Sequence, residues 1–316
     1  MKLKLTVLFF FITFSALSQE KFSKEISFIN DNDLYVSTER DRYYTNGMFF
    51  RYRYLSKVKN EKLEKRIFEW ELGHEMFTPN KATVATISEH DRPFAGHLFG
   101  KFNVRRVYKN DKILNTSIQL GLIGPDAFGQ ELQEVIHSIY GFKETPGWKY
   151  QINNAFAFNF NAEYIHLLST NKTNDFDISW ISSLRAGTVY TNISSGFYSR
   201  VGLLPLAKMA NSIAFNTNLN DDSTNYGRAI ESFFFIKPTL RYAIYDATLQ
   251  GSFLNTSSIV TKELIPLVFN LEIGIKFTAN RWNFGYTFNY NTSKSKDLRY
   301  TYGNKFGTII FSYLLR

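Results

Sequence analysis

The C-terminal half of the chain alternates apolar and polar residues with a period of two. The clearest runs are 269–277 and 282–290. A period of two places the two sets of side chains on opposite faces of a β-strand. The apolar faces are rich in aromatic residues, and a soluble sandwich would need a second sheet to cover them. A barrel in a bilayer needs no such cover, because lipid is itself apolar. The pattern therefore predicts an all-β fold, a transmembrane antiparallel β-barrel.

Loop lengths indicate how many strands the barrel has. A bacterial barrel with both termini in the periplasm needs an even number of strands, with short periplasmic turns and long extracellular loops. Strands assigned forward from the N-terminus and backward from the C-terminus each follow this rule. The two assignments disagree within 169–204. We therefore expect twelve strands, with one false or bent strand in 169–204 and an extracellular loop at 205–230. The thirteen candidate segments are 25–33, 44–56, 66–77, 97–108, 112–123, 152–168, 176–190, 194–204, 231–243, 246–254, 267–278, 281–291 and 305–315.

One segment departs from the β pattern. Leu132, Val135, Ile136 and Ile139 recur at the spacing of one helix face within 130–140. Gly141 follows as a typical helix stop. The spacing predicts a short amphipathic helix inside an extracellular loop.

The N-terminus has the features of a secretory signal. Lys2 and Lys4 precede an apolar stretch at 5–14, and 16–18 has a small residue at each end. We expect residues 1–18 to be a cleaved signal peptide and 19–316 to form one barrel domain. No later apolar run is long enough for a spanning helix.

Composition narrows the chemistry only slightly. The chain of 316 residues has no cysteine, which excludes a disulfide framework and thiolate metal sites. Its formal charge of +9 suits an anionic partner such as lipopolysaccharide phosphates, or serves only to keep the loops soluble.

The end of the first predicted strand has four consecutive oxygen-bearing side chains, Asn30, Asp31, Asn32 and Asp33. Such a run is typical of a hard-cation site, with Ca²⁺ the expected metal, although Asn and Asp are also common in ordinary turns. In an antiparallel hairpin the start of the second strand lies beside this cluster, where Thr45 offers a hydroxyl.

His137 lies on the predicted loop helix, at the same rim as the Asn/Asp cluster. A lone histidine is usually structural, but a base beside a cation is suited to ester hydrolysis. Ca²⁺ would polarise the carbonyl and stabilise the oxyanion, while a neutral imidazole activates a water molecule. A serine-hydrolase elbow, Gly-x-Ser-x-Gly, is absent from the sequence.

Several short motifs occur in the order typical of a known family. Together they resemble the outer-membrane lipid A 3'-O-deacylases, the LpxR-like family, over most of the chain after residue 18. The motifs are Asn32-Asp33-Leu34-Tyr35, Asp41-Arg42-Tyr43-Tyr44-Thr45-Asn46-Gly47, Asp91-Arg92-Pro93-Phe94-Ala95-Gly96, Gly124-Pro125, Ile136-His137 and Gly147-Trp148 followed by Gln151.

The resemblance implies a twelve-stranded barrel that removes the 3'-linked acyloxyacyl chain of lipid A in a Ca²⁺-dependent reaction. It implies His137 as general base, Thr45 as the active-site threonine, and Asn32 and Asp33 as the Asn-Asp pair. Asn30-Asp31 offers the same pair in an alternative register. Glu144 is the nearest match to the acidic residue that follows the histidine in the family.

The expected setting is the outer membrane, with the site at the outer leaflet and lipid A or lipopolysaccharide as partner. We expect a monomer that binds no nucleic acid. Two alternatives remain at this stage: a non-catalytic barrel, either a narrow porin or a scaffold, and an outer-membrane phospholipase.

Overall fold

The computed structural model of the protein describes residues 20–36, 42–58, 60–81 and 83–316. The expected signal peptide at 1–18, and Asp41 of the second motif, lie outside the described residues. Twelve antiparallel strands close into a barrel in which each strand pairs with its chain neighbours and β1 pairs with β12. The predicted twelve-stranded barrel is therefore confirmed. The strands are β1 Lys24–Asn32, β2 Tyr43–Ser56, β3 Leu63–Thr78, β4 Ala95–Tyr108, β5 Lys112–Ile123, β6 Ala155–Thr170, β7 Phe176–Gly187, β8 Tyr190–Gly202, β9 Ser232–Asp246, β10 Leu267–Ala279, β11 Trp282–Asn291 and β12 Asn304–Leu315.

The wall of the barrel separates apolar from polar side chains, as the period of two requires. In β1, Glu25 and Ser27 are buried inside, whereas Ile26 is 47% exposed on the outside. Exposed aromatic and aliphatic side chains continue around the outer face, as in Phe50 and Trp70. This face suits contact with lipid chains. No helix in the described part of the chain is long and apolar enough to cross a membrane.

The expected location of the false strand was wrong. Residues 169–204 contain two genuine strands, β7 and β8, joined at 188–189. The false strand is 246–254, which forms a short helix at Ala247–Gln250 instead. The Asp246 carboxylate accepts a hydrogen bond from the Thr248 amide at 3.0 Å and so caps this helix. Asp246 therefore ends β9 and begins a helix, where the sequence pattern predicted a further strand at 246–254.

The segment 203–231 also contradicts its expected position as an extracellular loop. It joins β8 to β9 at the end of the barrel where both chain termini lie, and it folds into the lumen. Lys65 Nζ on β3 donates to Asn220 Oδ1 at 2.6 Å, and Arg53 Nη1 on β2 donates to the Asn216 carbonyl at 2.6 Å. We call 203–231 the luminal plug. Its polar groups thus supply hydrogen-bond acceptors to buried cations of the wall.

Ion pairs and two polar cavities occupy the middle of the lumen. Glu71 Oε2 lies 2.5 Å from Arg51 Nη2, and its Oε1 lies 2.5 Å from Lys101 Nζ. The cavities measure about 340 and 280 Å³. Above them, Tyr44, Phe77 and other apolar residues form a buried cluster near the loop end of the barrel. Side chains and the plug thus fill the part of the lumen that the structure describes.

The predicted loop helix is confirmed as α1, Gly129–Tyr140. It lies in the connection between β5 and β6, at the loop end of the barrel. Gly141 follows it with φ of 69°, a conformation that favours glycine. The short helix Ala247–Gln250 is α2.

Arg200 provides a test of the plug. Its guanidinium pairs with Asp177 on β7, lies 3.2 Å from Glu231 Oε1 and donates to Ser212 Oγ at 2.7 Å. Arg200→Met leaves two buried carboxylates uncompensated, so we expect the free energy of unfolding to fall by about 3–5 kcal/mol. Urea unfolding in detergent micelles, followed by tryptophan fluorescence, measures this loss.

The matched control is Arg316→Met, whose side chain is 68% exposed and pairs with Glu20. It should change stability very little. Equal stabilities of Arg200→Met and the wild type would contradict the proposed anchoring of the plug.

Candidate active site

His137 is buried on α1 and is contacted through both ring nitrogens. Its Nδ1 lies 2.7 Å from the Lys143 carbonyl oxygen, and its Nε2 lies 3.3 Å from Gln133 Nε2. The amide oxygen of Gln133, Oε1, accepts a hydrogen bond from the Trp148 indole N–H at 2.6 Å. Gln133 and Trp148 are buried with the histidine. The imidazole is thereby held in one orientation.

These contacts also select the tautomer of His137. A carbonyl oxygen only accepts, so Nδ1 carries the proton and donates it to Lys143. An indole N–H only donates, so the Gln133 carbonyl faces Trp148 and its amide N–H faces Nε2. Nε2 is therefore the unprotonated nitrogen, and its lone pair accepts the Gln133 amide N–H at 3.3 Å. An unprotonated ring nitrogen is the atom that a histidine uses as a general base.

Close packing fixes α1 against the outside of the barrel wall. Gly129, at the start of α1, lies directly against Gly96 on β4. A Cβ atom added to Gly129 would lie 3.1 Å from the Gly96 Cα and 2.6 Å from the Trp148 ring, so no larger residue fits there. Trp148 packs on Phe94 with ring centroids 4.8 Å apart. His74 Nε2 on β3 lies 2.8 Å from the Ala127 carbonyl, just before the helix. His137 is thus carried by a helix that is attached to rigid strands.

The structure divides the Asn/Asp cluster between the two faces of the barrel wall. Asp31 accepts hydrogen bonds from Tyr44 Oη at 2.8 Å and Thr308 Oγ1 at 2.6 Å, both on the inner side. Asn30 and Asn32 alternate with it and belong to the outer side. The four side chains are therefore not brought together as one group of ligands.

The oxygen atoms of the outer residues have partners of their own. Asn30 Oδ1 accepts from Tyr35 Oη at 2.6 Å, and Asn32 Oδ1 accepts from the Leu34 amide at 2.8 Å. Asp33, at the strand end, accepts from the Arg42 amide at 2.7 Å. Asn32 and Asp33 remain adjacent donors of the kind that Ca²⁺ prefers, an amide oxygen followed by a carboxylate. Within the described residues, no group of three or more His, Asp or Glu side chains is arranged to hold a metal.

Thr45 lies at an irregularity between β2 and β3. The register shifts between Tyr44 and Asn46, which indicates a β-bulge. Thr45 Oγ1 lies 2.6 Å from Thr78 Oγ1, and Asn46 pairs directly with Asn32 on β1. The predicted neighbourhood of Thr45 and the Asn/Asp cluster is therefore confirmed.

Asp91 joins three elements around the start of β2. Its Oδ2 accepts from Tyr43 Oη at 2.8 Å and from the Arg299 amide at 3.1 Å, and its Oδ1 accepts from the Asn80 amide at 2.9 Å. Sequence analysis placed Asp91 only in a motif, with no role. Its contacts come from distant parts of the chain, which a single sequence does not reveal.

The neighbouring Arg92 is buried and supports the same strand. Its Nη1 donates to the Tyr43 carbonyl and its Nη2 to the Thr248 carbonyl, each at 2.9 Å. Burial lowers the pKa of Arg92 to about 10. The guanidinium thus stays charged at neutral pH while it connects β2 to α2.

Glu144, the expected acidic partner of the histidine, has an exposed side chain. The preceding residue, Lys143, supplies the carbonyl that holds Nδ1. Gln133 was missed by sequence analysis, although it stands one helical turn before His137 and therefore on the same face of α1.

Comparisons with known proteins agree with this architecture. The family model described as "Outer membrane protein LpxR" matches residues 4–315. Among solved structures, LpxR from Salmonella typhimurium aligns with a TM-score of 0.72 and 18% identity, over 92% of this chain and 100% of that chain. The β domain of the Bordetella autotransporter BrkA aligns with a TM-score of 0.45 and 9% identity, over 94% and 99%. No curated protein sequence matches.

The chain belongs to the LpxR family. It is therefore an outer-membrane barrel of the lipid A deacylases, which are ester hydrolases. The alternative of a non-catalytic porin or scaffold gives way to this assignment. The end of the barrel opposite the termini is the extracellular one, so α1, the end of β1 and the start of β2 lie at the outer leaflet.

Gln133→Glu tests the electrostatic environment of His137, the candidate base. A carboxylate facing Nε2 favours the protonated ring over the neutral one. Because only the neutral ring acts as a base, the acid limb of the pH–activity profile should move to higher pH. Lipid A hydrolysis measured from pH 5 to 9 should show a shift of about one pH unit.

Gln130→Glu makes the same substitution one turn earlier on α1, where the side chain contacts Glu134 instead. It should leave the profile in place. Coincident profiles for Gln133→Glu and the wild type would show that Gln133 does not control the base.

Proposed function

We propose that the protein hydrolyses the 3'-linked acyloxyacyl ester of lipid A with His137 as the general base. The observation that supports this most strongly is the fixed tautomer of His137, in which Nε2 is the unprotonated nitrogen, on a helix packed outside the barrel. A site outside the wall is reached laterally by a lipid of the outer leaflet. A site inside the filled lumen would not be.

The reaction follows from the state of the ring. Nε2 removes a proton from a water molecule as its oxygen attacks the ester carbonyl. The imidazolium then donates that proton to the departing sugar oxygen at C3'. The products are the free acyloxy acid and a 3'-hydroxyl on the sugar. Throughout, the Lys143 carbonyl keeps the Nδ1–H in place and stabilises the transient positive charge.

The remaining site residues are assigned by their positions. We propose that Thr45, in the bulge next to Asn46, contacts the substrate at the rim of the wall. Glu144 is proposed to add negative charge near the imidazolium, as the family resemblance implies. The closed barrel has no unpaired strand edge, which supports a monomer as the functional unit.

We propose Ca²⁺ as the cofactor. Asn32 and Asp33 are the residues that would hold it, because an amide oxygen and a carboxylate follow each other at the end of β1. Asn30 and Asp31 belong to the alternative register, and Asp31 is engaged on the inner face. When bound, the ion would supply Lewis-acid stabilisation of negative charge on the ester oxygen.

Lipid A mass spectra test the reaction. Cells with defined lipid A that express the wild type should lose the mass of one acyloxyacyl group. Cells that express His137→Ala should not, because removal of the base lowers the rate by about 10²–10⁴-fold. His166→Ala, a histidine on β6, is the matched control and should remain active.

Unchanged lipid A spectra with correctly inserted wild-type protein would contradict the proposal. Loss of phospholipid acyl chains in the same cells, with intact lipid A, would favour the phospholipase alternative.

Chelation tests the cofactor. Purified protein in detergent should lose activity in excess EGTA and recover it with Ca²⁺. Asp33→Asn should need a higher Ca²⁺ concentration for half-maximal activity, because a neutral ligand binds the cation less tightly. Full activity in EGTA after extensive dialysis would contradict a requirement for Ca²⁺.

A further inference from the structure

A stacked arginine stands at the extracellular rim beside the candidate site. The guanidinium carbon of Arg42 lies 4.0 Å from the ring centroid of Tyr300 and 5.8 Å from that of Tyr302. Stacking holds the guanidinium plane while its N–H groups stay available at the edge. Such a group is prepared to bind a planar or tetrahedral anion through two hydrogen bonds.

Backbone contacts hold this arginine and a second one in the same region. The Arg42 amide donates to Asp33, a candidate site residue, at 2.7 Å. The Tyr300 amide donates to Tyr43 Oη at 3.0 Å, and the adjacent Arg299 amide donates to Asp91 Oδ2 at 3.1 Å. Arg42 and the 292–303 loop are therefore both held at the start of β2.

Carboxylates do not neutralise these two arginines. Across the residues that the structure describes, no ion pair involves Arg42 or Arg299. Lys296 in the same loop differs, because its Nζ lies 2.6 Å from Glu263 Oε2. The carboxylates of Asp33 and Asp91 are occupied by backbone N–H groups and by Tyr43. Among the described residues, the charges of Arg42 and Arg299 thus have no ion-pair partner.

The chemistry of lipid A indicates what this charge meets. In the distal glucosamine, the 3' ester and the 4'-phosphate are on adjacent ring carbons. A site that places the 3' ester near Thr45 must therefore receive the phosphate within a few ångströms of it. The Arg42 amide donates to Asp33, and Arg42 precedes Thr45 by three residues in the chain, so Arg42 lies at the same rim as both candidate site residues.

We propose that Arg42, supported by Arg299, binds the 4'-phosphate of lipid A and so positions the 3' ester for hydrolysis. This inference rests on the proposed function and adds to it a determinant of substrate choice. Arg42 is thus a binding residue, and its loss should matter only for substrates that have the phosphate.

The experiment compares two substrates with purified protein in mixed micelles. One is bisphosphorylated lipid A, and the other is the same lipid A without its 4'-phosphate. Arg42→Gln should lower kcat/KM for the phosphorylated substrate by about 10- to 100-fold, the usual effect of losing a charge-assisted pair of hydrogen bonds. It should change kcat/KM for the dephosphorylated substrate by less than about twofold. Arg42→Lys should lose less activity than Arg42→Gln, since lysine keeps the positive charge but lacks the paired N–H donors of the guanidinium.

Lys296→Gln is the control in the same loop and should affect neither substrate. Equal losses on both substrates with Arg42→Gln would overturn the proposal, since a purely structural role would produce them. A loss that depends on the carboxylates of added inner-core sugars, and not on the 4'-phosphate, would overturn the phosphate assignment. Wild-type protein that hydrolyses neither substrate would instead contradict the proposed function itself.

Discussion

The pairing of β1 with β12 is the constraint on which the rest of the structure depends. In lipid, each backbone N–H and C=O of the wall needs a partner within the protein, and an open sheet would leave two rows unpaired. Closure therefore places β1 between β2 and β12, with nine residue pairs on each side. The end of β1, where Asn32 and Asp33 lie, becomes a fixed point on the rim of a continuous wall.

Closure also decides which side chains are available for chemistry. Alternation sends Glu25, Arg53 and Glu71 into a lumen that ion pairs and the luminal plug fill. The lumen thus contributes rigidity, and a reactive group must lie outside it. The loops supply the proposed base, because α1 packs against the outer wall and brings His137 to the rim. Asp91 and Arg92 connect the surrounding loops, so the rim behaves as one packed unit.

Much of the fold could be predicted from the sequence, because burial of one strand face leaves a period-two pattern. The helix at 130–140 was predicted because its apolar residues recur at the spacing of one helix face. The errors have local physical causes. Asp246 begins a helix within an apolar stretch, and the plug at 203–231 resembles a polar loop because its partners are buried wall cations. Neither the capping contact of Asp246 nor the contacts of the plug with the wall can be inferred from neighbouring residues in the sequence.

Sequence patterns indicate only part of the candidate site. His137, Thr45 and the Asn/Asp cluster are proposed from the sequence, and the pairing of β1 with β2 explains why the last two are neighbours. The separation of Asp31 from Asn30 and Asn32 follows from alternation and was open to sequence reasoning. The contact of Trp148 with Gln133 was not, since it depends on how the loop after α1 folds back. That contact determines the chemistry of the histidine ring.

The contacts around His137 select the tautomer with its proton on Nδ1 and its lone pair on Nε2. Nitrogen-15 NMR of histidine-labelled protein in detergent at pH 7.5, with His137→Ala for assignment, measures this directly. We predict a protonated Nδ1 with a directly bonded hydrogen and an unprotonated Nε2. A proton on Nε2, or a ring that exchanges between both tautomers, would contradict the account.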